Sequence, residues 1–549
     1  MCERYQPAFK LSSSFGINYA GSEESMDRRR FVAASLAAGT MAALGCSATR
    51  KNPGRQNTSD LPPFELEEAT VAALQGGMKS GWYTARSITE LYLARIAAVD
   101  KQGPELHSII ELNPDALQIA DALDAERKAK GPRGPLHGIP VLVKDNIDTA
   151  DRMTTTAGSL ALEGSIPPED STVAKRLRDS GAIILGKANL SEWANIRSLR
   201  SSSGWSARGG QCKNPYALDR NPCGSSSGSA AATSANLTAL SVGTETDGSI
   251  VCPSGTGGIV GIKPTVGLIS RAGIIPISHN QDTAGPMCRT VTDAAILLGA
   301  LAEVDARTDY TAFLDPNGLK GMRIGVSRSH FGFHPSVDKL MESAIDVLKT
   351  GGAAVIDPAN VDSLKNADDT EVMLMLYELK ANLNAYLASL GPKAPVKTLQ
   401  DVIEFNEKHA DQELQYFGQE LFIQAEEKGP LTDSKYVEAL KTIQQLAREQ
   451  GIDMVMTKNR LDAIIAPTNS PAWVTDHLNG DHFTGGSSTP AAVAGYPNIT
   501  VPCGSVGGLP VGISFFGRAW SEPTLFKIGF AYEQATRHRQ TPRFRNTIA

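Results

Sequence analysis

Apolar residues recur along this chain at two spacings. In SITELYLARIAAVD (87–100), Ile88, Leu91, the stem of Arg95 and Val99 follow at helical period, and Ser87 and Glu90 stand in the spacing of a capping box. That pattern predicts an amphipathic helix. In HGIPVLVKDNI (137–147), Ile139, Val141 and Val143 alternate with other apolar residues, which predicts a strand covered on both faces. A helix over 172–178 leads through Gly181 to a short strand over 182–185, and further strands are expected at 239–242, 324–326, 463–466 and 499–502.

Strands that alternate with helices over hundreds of residues predict an α/β fold: a single large domain over 63–549, with a mixed central sheet flanked by helices on both faces. Between about 361 and 458 charge rises, glycine falls and helical spacing takes over. In TDSKYVEALKTIQQLAREQ (432–450), Tyr436, Leu440, Ile443 and Ala447 form one apolar stripe. This stretch reads as a helical excursion lying over the sheet, because the glycine-rich strand pattern resumes after it in DAIIAPTNSPAW and GYPNITVPCG.

Composition adds exclusions. The chain has 549 residues, of which 41% are hydrophobic and 20% charged, within the range of globular proteins. A net charge of -6 argues against a nucleic-acid partner. No apolar run approaches the roughly 18 residues of a membrane span.

The first residues read as processing signals. MDRRRFVAASLAAGTMAALGC (26–46) places Arg28, Arg29, Arg30 and Phe31 before a small, apolar stretch that ends at Cys46. This is the layout of a bacterial export signal, and the paired arginines resemble a twin-arginine signal. ALGC also resembles a lipoprotein box with Cys46 as the acylated residue. Residues 1–46 are therefore expected to be leader and export signal, with Met26 as the true start, and 47–62 a tether. The expected location is exported, periplasmic or membrane-anchored, with membrane contact only through the signal or a lipid on Cys46.

Of seven cysteines, setting aside Cys2 and Cys46 leaves Cys212, Cys223, Cys252, Cys288 and Cys503. None forms a C-x-x-C pair, which argues against a structural zinc site. An oxidising compartment would allow a disulfide between two of them, but an odd number cannot all pair, and the favoured expectation is of small, buried, inert residues.

Candidate chemistry begins with NPCGSSSGSAAATSANL (221–237), which reads either as a glycine–serine linker or as a catalytic turn. Gly224 to Gly228 matches G-x-S-x-G, with Ser226 in the nucleophile position. An alanine-rich helix follows, but the proline-bearing NPYALDRNPC before it is no central strand, and no histidine downstream lies in a triad motif. SVGTETDGSIVCPSG sets Ser249 after a strand, in a turn with Thr246, Asp247 and Gly248, where successive backbone N–H groups can converge on an oxyanion. Lys144 ends an apolar strand, where desolvation lowers its pKa toward a competent general base; the alternative is a strand-end lysine paired with Asp145.

GIPVLVKDNI, NPCGSSSGSAAA and GTETDGSIVCPSGTGGIVGIKPT, in that order, resemble the amidase signature family, as do TTTAGS, ILGKANLSEWA and GLISRAGIIPIS. The resemblance implies a Ser–cisSer–Lys triad: Ser249 as nucleophile, Ser225 as the bridging cis-serine and Lys144 as base. It further implies an oxyanion hole of backbone N–H groups from Thr246, Asp247, Gly248 and Ser249, and no metal or organic cofactor. On that reading the glycine–serine run is a catalytic turn, and Asp145 and Asn146 either orient Lys144 or only close the strand.

Val251, where many members carry arginine, and Ser226 are assigned to the substrate pocket. Loss of that arginine removes an anchor for a substrate carboxylate. The expected reaction is hydrolysis of carboxylic or peptide amides, with a small-molecule or peptide amide as the partner. The competing readings are a catalytically silent lipid-anchored binding protein of the same fold and an amidotransferase A-type subunit.

Overall fold

The uninterrupted apolar runs become the middle of one sheet. In the computed structural model, which describes residue 61 and residues 63–548 apart from 304–307 and 366, thirteen strands follow in order. They are β1 (Ile109–Leu112), β2 (Pro140–Lys144), β3 (Ile183–Ala188), β4 (Trp205–Ser206), β5 (Gly210–Gln211), β6 (Leu240–Glu245) and β7 (Val260–Lys263). β8 (Thr283–Cys288), β9 (Arg323–Val326), β10 (Ala354–Ile356), β11 (Ala463–Pro467), β12 (Asn498–Val506) and β13 (Leu509–Phe516) complete the set. β4 and β5 form a small ribbon, and the other eleven make one sheet in the order β1-β3-β2-β6-β8-β7-β12-β13-β11-β9-β10. The sheet is mixed: β2 runs parallel to β3 and β6, whereas β8 runs antiparallel to both β6 and β7.

Both faces are covered, as strand alternation shows. Ala463, Ile465 and Phe515 belong to the largest apolar cluster, while their neighbours Ile464, Ala466 and Phe516 belong to a different one. Successive side chains of a strand point to opposite faces, so each cluster is a layer packed on its own side. The second of these clusters includes Tyr436, Ile443 and Ala447 from the Ser434–Ala447 helix, three of the four stripe positions read from the sequence.

The helical excursion spans the helices from Asp368–Ser389 to Asp453–Asn459. Leu376, Leu379, Leu383 and Phe422 from it pack with Leu190, Trp193, Ile275 and Ile277 of the loops beyond the strand ends. The excursion is thus a wall beside those loops as well as a layer over the sheet.

Local signals are displaced by a residue or two. The helix expected to open at Ser87 is Ala85–Val99, capped by Thr84, with Ser87 as the third-position partner that returns the hydrogen bond to the Thr84 N–H. The helix read over 172–178 is Thr172–Asp179. The leader, the arginines, Phe31 and Cys46 lie outside the described residues. No helix among the described residues is long and apolar enough to cross a membrane.

Candidate active site

Two neighbouring parallel strands deliver the first groups. β2 and β6 pair with Val143 opposite Val242, so both finish at the same rim of the sheet, where ligands of α/β folds collect. Lys144 ends β2 and Glu245 ends β6. All five residues of β2 are buried, so the Lys144 ammonium is stripped of water. Desolvation lowers its pKa to about 7, against a partial offset from the Asp282 and Glu245 carboxylates.

Lys144 Nζ lies 2.7 Å from Ser225 Oγ, 2.9 Å from Thr244 Oγ1 and 3.3 Å from the Thr244 carbonyl. Asn146 Nδ2 donates to the same Thr244 hydroxyl at 3.0 Å. Asp145 turns the other way and accepts from the Thr156 hydroxyl and the Gly158 N–H, with Arg208 and Lys187 near it. The expectation that Asp145 orients or pairs with Lys144 is therefore corrected, because consecutive residues leaving a strand point to opposite sides. Asn146 contacts Lys144's partner rather than Lys144 itself.

Ser225 stands at the mouth of the Ser227–Ser234 helix, behind a cis Gly224–Ser225 peptide. Gly224 is needed for close approach, since a Cβ there would lie 2.2 Å from Ser191 Oγ. The Ser225 carbonyl accepts from the Ser191 N–H at 3.0 Å, and the Ser226 N–H donates to the Ser249 carbonyl at 3.1 Å, which ties this turn to the next. No strand precedes the serines, so the elbow geometry that would expose Ser226 is absent among the described residues. Ser226 is fully buried, and its hydroxyl donates to the Thr244 carbonyl and accepts from the Thr244 N–H.

After β6 the chain turns through Thr246, Asp247 and Gly248 to Ser249, and then enters the Val251–Thr256 helix. Gly248 has φ +78°, the left-handed region that glycine adopts without cost. Glu245 Oε2 accepts from the N–H groups of Ile250 and Val251 at 2.7 and 3.0 Å, which pins the start of that helix under the turn. Thr246 Oγ1 donates to Asp282 Oδ1 at 2.6 Å, and Asp282 Oδ2 in turn accepts from the N–H groups of Ile277 and Ser278. Among the described residues none supplies an acceptor to the backbone N–H groups of Thr246, Asp247, Gly248 or Ser249. Unpaired backbone N–H groups in a turn are what an oxyanion needs.

A narrow cavity meets these pieces. Its walls include Asn146, Ala194, Ser225, Thr244, Glu245, Thr246, Ile277 and Asp282. Ser249 is 8% exposed, and no hydrogen bond joins its hydroxyl to that of Ser225 among the described residues. The structure therefore brings Lys144 and Ser225 into contact, and Ser249 to them through its backbone. Catalytic contacts of this kind tighten when substrate binds.

Two pocket assignments need correction. Val251 is completely buried at the first turn of its helix and lines no part of the cavity, and Ser226 is spent on Thr244. Asp247 is partly buried and accepts from Thr489 Oγ1 at 2.7 Å. Sequence reasoning missed Thr244, Glu245 and Asp282. Glu245 carried a signal, a carboxylate closing an apolar strand; Asp282 carried none, because its role depends on a loop folding back across the sheet.

The cysteines divide between the two expectations. Cys223 and Cys252 form a disulfide, while Cys212, Cys288 and Cys503 are free and buried. Because 29 residues separate the pair, no local motif announces it.

Comparison with known proteins bears on the family and the fold. The family model described as Amidase matches residues 87–526. The Arabidopsis thaliana protein named Probable amidase is 44% identical over 502 residues, covering 88% of this chain and 92% of that one. The native peptide amidase from Stenotrophomonas maltophilia superposes with a TM-score of 0.83 at 49% identity, covering 88% of this chain and all of that one. The A-type subunit of the glutamyl-tRNA(Gln) amidotransferase of Chloroflexus aurantiacus is 35% identical, covering 87% of this chain and 99% of its own. The chain belongs to the amidase family and is an amidase-signature hydrolase that acts on amides.

Proposed function

We propose that this enzyme hydrolyses carboxylic or peptide amides through an acyl-enzyme on Ser249. Neutral Lys144 takes the proton of Ser225, and Ser225 takes that of Ser249 as it attacks the amide carbonyl. The N–H groups of the Thr246–Ser249 turn receive the oxyanion. The relay returns a proton to the departing ammonia or amine, and water then releases the acid by the same route. The observation that carries this reading is the desolvated Lys144 amine 2.7 Å from the Ser225 hydroxyl, beside a turn with unpaired N–H groups.

The leading substrate class is a peptide ending in –CONH₂, supported by the likeness to the Stenotrophomonas peptide amidase. Export rests on Arg28–Arg30 and the apolar stretch that follows, with support from a disulfide, a bond of oxidising compartments. The Arabidopsis relative, a eukaryotic protein, lends export no support.

The test is ammonia release from a panel of amides, with a serine-reactive phosphonate as a second readout. Ser249→Ala should lose both turnover and labelling, while Ser225→Ala and Lys144→Ala should each lower kcat by about 10³-fold or more, with little further loss in double variants. Turnover that survives in Ser249→Ala would discard the nucleophile. Failure of the parent to react with the probe would favour a silent binding protein. Glutamine as the one productive amide would favour the amidotransferase reading.

A further inference from the structure

The Cys223–Cys252 disulfide spans the two turns that carry the reacting hydroxyls. Cys223 stands two residues before Ser225, and Cys252 three after Ser249. Each half is fixed to its own turn. The Cys223 N–H donates to Asn221 Oδ1 at 2.8 Å, and its carbonyl accepts from Ser227 Oγ at 2.6 Å. The Cys252 N–H donates to the Gly248 carbonyl at 2.8 Å, closing the turn that presents Ser249.

Two hydrogen bonds also join these segments: Ser226 N–H to the Ser249 carbonyl at 3.1 Å, and Thr256 Oγ1 to the Pro222 carbonyl at 2.7 Å. The disulfide adds a covalent tie next to the Thr256–Pro222 bond, on the N-terminal side of Ser225. It packs against Trp473, whose Nε1 donates to Asp481 Oδ1 at 3.1 Å, the same oxygen that Asn221 Nδ2 reaches. Both bridge cysteines are 6% exposed.

We propose that the Cys223–Cys252 bridge is a positioning element of the hydrolytic centre, and that its reduction by a dithiol reversibly throttles turnover. The inference rests on the Ser249–Ser225–Lys144 reading. Proton transfer between two hydroxyls works only at hydrogen-bond distance, and a misplacement of about 1 Å costs on the order of 10²-fold in rate. The exchange is balanced. One thiolate of the dithiol attacks a bridge sulfur and releases the other cysteine as thiolate. The reagent's second thiol then closes on the mixed disulfide, leaving two cysteine thiols and a cyclic disulfide; two electrons and two protons pass from reagent to bridge.

The test uses the full chain, oxidised and then held in dithiothreitol, with iodoacetamide mapping to show that Cys223 and Cys252 are reduced. Reduction should lower kcat for a peptide amide about 10- to 100-fold with KM little changed, slow phosphonate labelling in parallel, leave near-UV circular dichroism intact, and reverse with oxidised glutathione. Cys223→Ser/Cys252→Ser should start at the low kcat and ignore dithiol, while Cys212→Ser should remain sensitive. If the double variant does not fold, the reduced parent alone decides. A kcat within about twofold of the oxidised value, at full reduction of the pair, overturns the proposal. So does a loss that appears only together with the near-UV signal, which is fold support and not positioning. A failure of the hydrolytic reading looks different: turnover by oxidised Ser249→Ala.

Discussion

Burial sets the charge state of Lys144. Removed from water, its ammonium is held near a pKa of about 7 instead of the ordinary 10.5. If the neutral amine is the base, kcat/KM should rise with pH through one deprotonation near 7 and then level off. An exposed lysine would leave the rate still climbing at pH 9. A profile on a substrate that does not ionise in that range decides between them, and Lys144→Arg should be inactive throughout because guanidinium stays protonated. Ser249 and Lys144 stood out in the sequence as candidates, one in a turn after a strand and one at the end of an apolar run. Their roles, and the choice of Ser225 among three serines, came from the resemblance to the amidase signature family. The supports of these residues could not be read there: Thr244 serves Lys144 through both hydroxyl and carbonyl, and Asp282 reaches Thr246 from 36 residues away. Val251 and Ser226 were misplaced because position in a motif does not tell which way a side chain points once a turn begins.

At the scale of elements, the Thr246–Ser249 turn keeps its N–H groups free because Glu245 satisfies those that follow. Burial raises the Glu245 pKa, yet its Oε2 holds the Ile250 and Val251 N–H groups. Glu245→Ala would leave two buried donors without a partner, at about 1–3 kcal/mol each. Urea unfolding should show a loss on the order of 2–5 kcal/mol, and kcat should fall with it. Glu245→Gln keeps an acceptor oxygen and should recover most of the stability; if it is as damaging as alanine, charge and not the hydrogen bonds is the support. The clearest elements were those with apolar runs, such as β2 and β11, and β9 and β12 were read despite Gly325 and Pro502. In β7, β8 and β13, VGIK, TAGPMC and LPVGISFF carry glycine or proline that signals turns locally but is accommodated here within a central sheet.

The packing of the whole molecule decides which charges face the cavity beside Ser225. The sheet and its helical layer were legible from periodicity, but the contact of the excursion with Ile275 and Ile277 was not, since it depends on how distant loops pack. That packing helps place Asp282, which lines the cavity with Glu245, while no arginine or lysine is among the lining residues. Burial raises Asp282 to about 6, so it is ionised at neutral pH, and Lys144 is largely neutral above 7. A substrate carboxylate held roughly 8 Å from one such anion, at an effective dielectric of about 20, loses about 2 kcal/mol, or about 30-fold. Neutral peptide amides should therefore be cleaved in preference to analogues that carry a free carboxylate beside the scissile bond. The measurement is the ratio of kcat/KM for the two at pH 8, in the parent and in Asp282→Asn. Using a ratio cancels any common loss from the Thr246 contact, so a preference that narrows in Asp282→Asn identifies charge as the filter. The preference should also narrow in the parent below pH 6, as Asp282 gains its proton. Val251→Arg is not the complementary variant: a guanidinium at that buried site meets no cavity, and the expected outcome is loss of folded protein and no gain of acid substrates. An unchanged ratio in Asp282→Asn would overturn Asp282 as the filter and leave Glu245 as the other carboxylate that lines the cavity.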